Sequence, residues 1–313
     1  MNLPLQTPAK GLTTRNSVEQ ITVTVVICTR NRPALLRKCL TSVSQLNRTP
    51  DQVLVVDNSG GNEDTRKAAQ DFGARYVVEP LAGLSRARNR GLSECTTDIV
   101  AYLDDDAVPA PDWLDTLLTP FSNRHVAATT GRVITPQTTI DLQSATRIVS
   151  DKDPHWFEIS TFGGMGLGSN MALRRNACGG SPLFDERLGR GAPFEIAEEN
   201  YAFARLISSG YIAEYLPAAV VFHPSLTRDS IEQEARNSIC YWLLLFREFP
   251  KQRFTLLRFI LRRLLRKPLE WTREPQEPGE IVTSGWRVLL KAGFDALWLF
   301  LRTPRHRSSK SSA

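Results

Sequence analysis

Thr97-Asp98-Ile99-Val100-Ala101-Tyr102-Leu103-Asp104-Asp105-Asp106 is an apolar run that stops abruptly at three carboxylates. Ile99–Leu103, following the polar Thr97 and Asp98, predicts a buried strand. Three adjacent carboxylates at a strand end repel one another. That cost falls if a positive partner sits there, most simply a divalent cation. In an extended segment residues 104 and 106 point to the same side, so the outer two aspartates can share one target. For an isolated DDD a solvated acidic turn, helped by Pro109 and Pro111, is the better reading. The surrounding elements decide between the two.

Upstream, Ile21–Cys28 (ITVTVVIC) is a continuous β-branched run and predicts a second buried strand. Thr29-Arg30-Asn31-Arg32-Pro33 breaks it, and Pro33 suits the first turn of a helix. Leu35, Leu36, Cys39, Leu40 and Val43 then recur at helical spacing. Gln52–Val56 predicts a strand ending at Asp57 and the turn cluster Asn58-Ser59-Gly60-Gly61. A polar helix over 63–72, a strand over 74–78 and a helix opening at Gly83 lead back to the aspartate-tipped strand. Strands alternating with helices through short connections predict an α/β fold, a mostly parallel, Rossmann-like sheet flanked by helices. Ligands of such sheets sit beyond the C-terminal strand ends. Thr29, Asp57 and Asp104–Asp106 all fall at such ends, which a solvated turn does not require.

Downstream, the pattern predicts a helix over 112–121, a strand over 126–134 and an irregular polar stretch over 135–160. Phe162–Gly168 is a glycine-rich loop without the GxxxxGK[ST] pattern of a phosphate loop. Its small residues let a backbone approach a ligand or a neighbouring loop. A helix over 194–208 carries Glu195, Glu198 and Glu199 in its first turns, where acids also suit the helix dipole. Short strands over 211–216 and 219–222 end at His223-Pro224.

The chain of 313 residues is 42% hydrophobic and 23% charged, enough for one large or two modest domains with a substantial core. Five scattered cysteines without a CxxC argue for a reducing compartment and against a disulfide scaffold or zinc site. Residues 1–20 are polar and proline-containing and predict a disordered lead-in rather than a signal peptide. The charge is uneven: residues 251–313 hold 14 Lys/Arg and 5 Asp/Glu, or +9, so the first 250 carry −3 of the total +6. A basic tail on a slightly acidic body suggests an anionic surface, membrane or nucleic acid.

The motifs ICTRNRP, VVDNSGG, GLSRARNRGL, YLDDDAVP, GSNMALRR, AEENYAFARL and VVFHPS resemble, in this order, the family 2 glycosyltransferases of GT-A fold. The resemblance covers roughly residues 20–225, a domain-sized stretch. It gives a GT-A catalytic domain at 21–228, beyond which the pattern of the chain itself predicts an amphipathic helical extension at 229–303 and a disordered basic tail at 304–313. It implies transfer of a sugar from a nucleoside-diphosphate sugar, usually with inversion, aided by Mn2+ or Mg2+, with a UDP or dTDP donor. The donor would meet Thr29, Arg30 and Arg32 at the first strand's end, Asp57 through the nucleobase and Arg86 through ribose or phosphate oxygens. Arg88 and Arg90 share that helix and are left open.

Asp104 and Asp106 match the DxD pair. Asp106 would bind the metal directly, and Asp104 would contact ribose or a metal-bound water, with Asp105 assisting either. The metal would stabilise the diphosphate of the leaving nucleotide. Glu198-Glu199 falls on the family's acid motif, making Glu199 the candidate general base and Glu198 its assistant. Glutamate stands where the family usually has aspartate, so the longer side chain leaves the choice between the two open. His223 matches a histidine that completes the metal site in some members. A lone histidine at a strand end also fits a purely structural role.

Beyond the core, Ile231, Ala235, Ile239, Trp242, Phe246 and Phe249 follow one helical stripe. Phe254, Leu257, Leu261, Leu264 and Leu265 follow a second, against Arg258, Arg262 and Arg266. Trp286, Leu289, Leu290, Phe294, Leu297, Trp298 and Leu301 follow a third. None supplies the roughly 20 apolar residues of a membrane span. Two readings follow: helices packed on the body or on a homodimer partner, or in-plane attachment to an anionic inner leaflet. The second suits a cytoplasmic, peripheral enzyme whose glycan acceptor rides on a lipid. A sugar-phosphate nucleotidyltransferase would need a glycine-rich loop after the first strand, and Thr29–Pro33 has none. A nucleic-acid binder acting through the basic tail is the non-enzymatic alternative, and a transferase that binds donor without turnover is a fourth reading.

Overall fold

The computed structural model describes residues 21–136, 139–140, 145–179, 182–224, 230–270 and 285–303. The lead-in, the basic end at 304–313 and the domain boundary at 228 lie outside the described residues. The first half alternates as expected: β1 (Val23–Thr29), α1 (Pro33–Val43), β2 (Gln52–Asp57), α2 (Glu63–Asp71), β3 (Arg75–Val78), α3 (Leu84–Glu94) and β4 (Ile99–Asp104). Pro33 opens α1, and Asn62 caps α2 by accepting from the Thr65 amide. β5 (Val108–Pro109), α4 (Trp113–Leu118), β6 (Val126–Ile134), β7 (Thr139–Ile140), β8 (Arg147–Val149), α5 (Trp156–Thr161), β9 (Asn170–Arg174), α6 (Glu198–Ser208) and β10 (Ile212–Phe222) follow. The chain continues through α7 (Ile231–Glu248), α8 (Arg253–Glu270) and α9 (Gly285–Arg302).

The sheet runs β3-β2-β1-β4-β9-β6-β10-β5, with β7 on β6 and β8 on β10. β1 pairs in parallel with β2 and β4, and β6 in parallel with β10. β9 lies between β4 and β6, antiparallel to both. β1, β2, β3, β4, β6 and β10 therefore run one way, and a mostly parallel sheet carries antiparallel insertions. The β-branched residues of β1 feed two cores. Val23, Val25 and Ile27 face the layer of α1, α2 and α4, whereas Val26 faces that of α3, α5 and α6.

Several boundaries differ from the sequence pattern. The stretch 135–160 contains β7, β8 and the start of α5, pieces too short to show a period. The helix expected over 112–121 is α4 plus a 3-10 turn over Thr119–Ser122 that includes Pro120. The two strands expected over 211–222 are one, with a register shift between Leu216 and Val220 that accommodates Pro217. The helix expected from 194 begins at Glu198, because Ala197 takes a left-handed conformation (φ 60°).

The C-terminal helices extend the second layer. Ala235 of α7 packs with Leu289 and Ala292 of α9, and Cys240, Trp242 and Leu245 of α7 join the main core. Phe259 of α8 stacks on Phe162 with ring centroids 3.6 Å apart.

Candidate active site

Strand direction assembles the site. β10 runs the same way as β4, so its end delivers His223 to the edge where β4 delivers Asp104. The His223 amide donates to the Ile134 carbonyl at the end of β6 and fixes it there. One ligand atom each from Asp104, Asp106 and His223 lie within 4.8 Å of one another. His223 Nε2 is 3.1 Å from Asp106 Oδ1 and 3.6 Å from Asp104 Oδ2. Its Nδ1–H donates to the Pro224 carbonyl at 2.8 Å, which leaves Nε2 facing the carboxylates. Burial would strip the imidazole of its proton, but hydrogen bonds to Asp104 and Asp106 lift its pKa to about 10. Burial also opposes the charge on Asp106, yet His223 and Arg32 hold its carboxyl below the ordinary range.

Asp105 turns the other way. It is fully buried, accepts from Thr29 Oγ1 at 2.5 Å and pairs with Arg32 at 2.6 Å. Arg32 reaches Asp106 as well, at 2.9 Å. Burial pushes the Asp105 carboxyl up to about 6. The middle aspartate thus ties the end of β4 to the end of β1, and the outer two meet His223. Two carboxylates and an imidazole whose other nitrogen is anchored fit Mn2+ or Mg2+, cations that take few protein ligands and leave room for phosphate oxygens.

Glu198 and Glu199 enter the same cavity, of about 620 Å3, from the first turn of α6. Both are buried but for an edge. The left-handed Ala197 aims this turn, at a backbone cost of roughly 1–3 kcal/mol. Glu198 is occupied: its Oε1 accepts from Arg88 Nη1 at 2.5 Å. Arg88 is itself buried and lies 3.6 Å from Asp104 through Nη2. Burial opposes its charge, but Glu198, Asp104 and Glu199 hold the guanidinium protonated. Glycines close over this pair. A Cβ on Gly168 would lie 2.6 Å from Arg88 Nη2, and one on Gly189 (φ +87°) 3.0 Å from Glu198 Oε2. Glu199 is left as the carboxyl with proton-accepting capacity. Burial, then repulsion from Glu198, raises its pKa to about 8.

The remaining candidates divide. Thr29, Arg30 and Arg32 line the cavity. Asp57 does not. Its Oδ1 accepts from the Ser59 amide and hydroxyl and its Oδ2 from the Asn62 amide and Tyr76 hydroxyl, so the buried carboxylate has its four acceptor sites filled. Burial works against its charge, but these donors keep its carboxyl below the ordinary value. Asp57 holds the turn that sets Asn58 on the cavity wall. Arg86 also lies off the cavity, paired with Glu186 at 2.7 Å, and Arg88, two residues on, takes the interior position. Cys28 lines the cavity too, but burial pushes its thiol to about 12 and it stays protonated.

Residues 24–179 match the domain described as Glycosyl transferase family 2. The chain belongs to this family. Among curated relatives, the pre-mycofactocin glycosyltransferase of Mycobacterium tuberculosis is 30% identical over 226 residues, covering 68% of this chain and 45% of that protein. The chain therefore spans about half the length of that relative. A mannosyltransferase from Pyrobaculum calidifontis, solved in complex with GDP-Man and Mn2+, superposes with a TM-score of 0.57 at 17% identity, covering 92% of this chain and 77% of the other. Residues 1–349 of S. aureus TarS superpose with a TM-score of 0.61 at 13% identity, covering 90% and 80%. At such identities the likeness speaks to the fold, which is GT-A.

This family 2 glycosyltransferase domain has cavity-lining residues that its motifs did not single out. Arg88 was one of three arginines on a polar helix, and only the packing of α3 shows which one faces inward. Tyr102 of β4 holds the Arg88 carbonyl through its hydroxyl at 2.9 Å, and the guanidinium lies over the Phe184 ring. The loop before α6 was unreadable as a wall. It is held by α3, through Ser85 Oγ to the Leu188 carbonyl and the Leu84 amide to the Arg190 carbonyl. Charged residues in a glycine-punctuated segment (Arg187-Leu188-Gly189-Arg190-Gly191) were the available signal.

Proposed function

We propose that the chain transfers a sugar, with inversion, from a nucleoside-diphosphate sugar to a hydroxyl acceptor. The observation that carries this reading is that Glu199 and the Asp104–Asp106–His223 cluster face one cavity at the C-terminal edge of the sheet. Asp106, Asp104 and His223 would hold Mn2+ or Mg2+. When bound, the ion supplies positive charge that stabilises the departing diphosphate. Thr29, Arg30 and Arg32 would contact the nucleotide, and Arg88 would fix the distance between the cluster and α6. Glu199 takes the proton of the acceptor hydroxyl as its oxygen bonds to the anomeric carbon. The bond from that carbon to the diphosphate oxygen breaks, and the nucleoside diphosphate leaves with the electron pair. A raised carboxyl pKa makes Glu199 a stronger base than an exposed glutamate. A UDP or dTDP donor, and a lipid-linked glycan acceptor in surface polysaccharide synthesis that the amphipathic extension would suit, complete the reading.

A panel of nucleotide sugars, screened by thermal shift with and without Mn2+, tests it. One donor should raise Tm only with the metal, as expected for about 2.7 kcal/mol of stabilisation at roughly a hundredfold excess over Kd. Asp106→Ala should lose that metal-dependent shift. Failure of every donor to stabilise the protein under either condition overturns the reading.

A further inference from the structure

α8 and α9 carry apolar side chains on two opposite sides. Inward, Leu256 of α8 and Leu289, Ala292 and Ala296 of α9 are buried. Outward, Phe254, Leu257, Leu261 and Leu265 recur at i, i+3, i+7 and i+11 along α8 and are 53–78% exposed. Leu290, Phe294, Leu297, Trp298 and Leu301 do the same on α9 and are 51–84% exposed. Among the described residues these two stripes hold nine of the fifteen large exposed hydrophobics, and the other six lie elsewhere on the chain. Single exposed leucines are ordinary, whereas stripes concentrated on two touching helices mark a contact surface.

The charge around the stripes identifies the occupant. Residues 251–270 contain seven Lys/Arg and one acid, and α9 adds Arg287, Lys291 and Arg302 against Asp295. Arg253, Arg258, Arg262, Arg287 and Lys291 are exposed beside the apolar rows. A second copy of this face would bring like charges together. No described helix is long and apolar enough to cross a membrane. An apolar stripe with a cationic border lies instead in the plane of an anionic interface, its leucines and aromatics among the acyl chains and its arginines at the headgroups.

We propose that the outward faces of α8 and α9 are an attachment site for an anionic phospholipid bilayer. The attachment is mechanically continuous with the cavity. α9 packs on α7, and Gln233 of α7 donates to Glu195 Oε2 at 2.8 Å, a residue on the cavity wall. The inference stands apart from the sugar-transfer reading, because it concerns a surface that binds no donor.

Flotation of the full chain with vesicles tests it. The chain should float with phosphatidylcholine vesicles containing roughly 30% phosphatidylglycerol, release with added salt, and stay behind with phosphatidylcholine alone. A Leu257→Ser, Leu261→Ser, Phe294→Ser variant should bind at least about tenfold more weakly. Arg262→Glu with Lys291→Glu, at exposed positions, should lose the anionic preference without disturbing the fold. Metal-dependent donor stabilisation should persist in both variants. Absence of flotation with anionic vesicles overturns the proposal. So does a concentration-dependent dimer by light scattering that the serine variant abolishes while vesicle binding is unchanged.

Discussion

The sheet edge and the outward faces of α8 and α9 break the same packing rule in opposite directions. At the edge, Asp105, Arg88, Glu198 and Glu199 are charged or titratable groups taken out of water. On the helices, Leu290, Phe294 and Leu301 are hydrophobics left in it. The first region answers its violation internally: Asp105 has Thr29 and Arg32, and Glu198 has Arg88. The second has no internal answer among the described residues. A charge network that closes on itself is built for chemistry inside the protein, whereas an apolar face that does not close is built for something outside it. Each substitution below tests one side of this contrast.

The largest effect is expected at Glu199. Glu199→Gln should reduce transfer by roughly 10²–10⁴-fold, the usual contribution of a positioned base, and leave metal-dependent donor stabilisation intact. With the wild-type side chain, turnover should rise as pH passes through about 8 and level off above it, since the base must be deprotonated. Stability should run the other way. The folded carboxyl keeps a proton that the unfolded chain, near 4.5, has released, so stability falls as pH rises from 4.5 to about 8 and is flat beyond. pH-dependent unfolding of wild type against Glu199→Gln checks the sign: the variant should lose this slope.

Next comes the buried pair. Arg88→Met leaves Glu198 without its partner in a dry site and should cost about 3–5 kcal/mol in urea unfolding. Arg88→Met combined with Glu198→Gln should recover part of that loss, because the uncompensated charge is gone. Arg88 also lowers the Glu199 carboxyl, so removing it should move the turnover profile to higher pH, a shift that loss of packing alone does not produce.

How far these features could be read in advance follows the range of the interactions that create them. β1, β2 and β4 were legible because an uninterrupted β-branched or apolar run has little else to become, and the alternation of elements fixed their direction. Asp104, Asp106 and His223 were legible as strand-end residues. Their convergence depended on β10 running with β4, a consequence of where β9 inserts. Asp57 looked equivalent to them because it too ends a strand. What sequence does not carry is that Ser59, Asn62 and Tyr76 fill its oxygens. That Arg88 rather than Arg86 lines the cavity was hidden for a related reason. Two residues apart on a helix is about 200° of rotation, and α3 has small or polar residues on both sides, so its sequence did not show which face turns inward. The start of α6 was missed because a non-glycine residue in the left-handed region leaves no compositional trace.

The smallest effect is expected where the largest side chains are exposed. Leu261 is 60% exposed on the outward row of α8, so Leu261→Ser removes little burial on folding. Its change in unfolding free energy in the absence of lipid should stay within about 0.5 kcal/mol, whereas a core substitution such as Leu256→Ala, at 1% exposure, should cost roughly 2–5 kcal/mol. The two positions lie on the same helix and differ in which side they face. If Leu261→Ser destabilised the isolated protein as much as Leu256→Ala, the outward row would be packed against this chain in solution, and the contrast between the two regions would collapse. If the costs separate as expected, the leucine at 261 is retained for a reason that folding does not supply. The energy it contributes must then appear in a measurement that includes the missing surface.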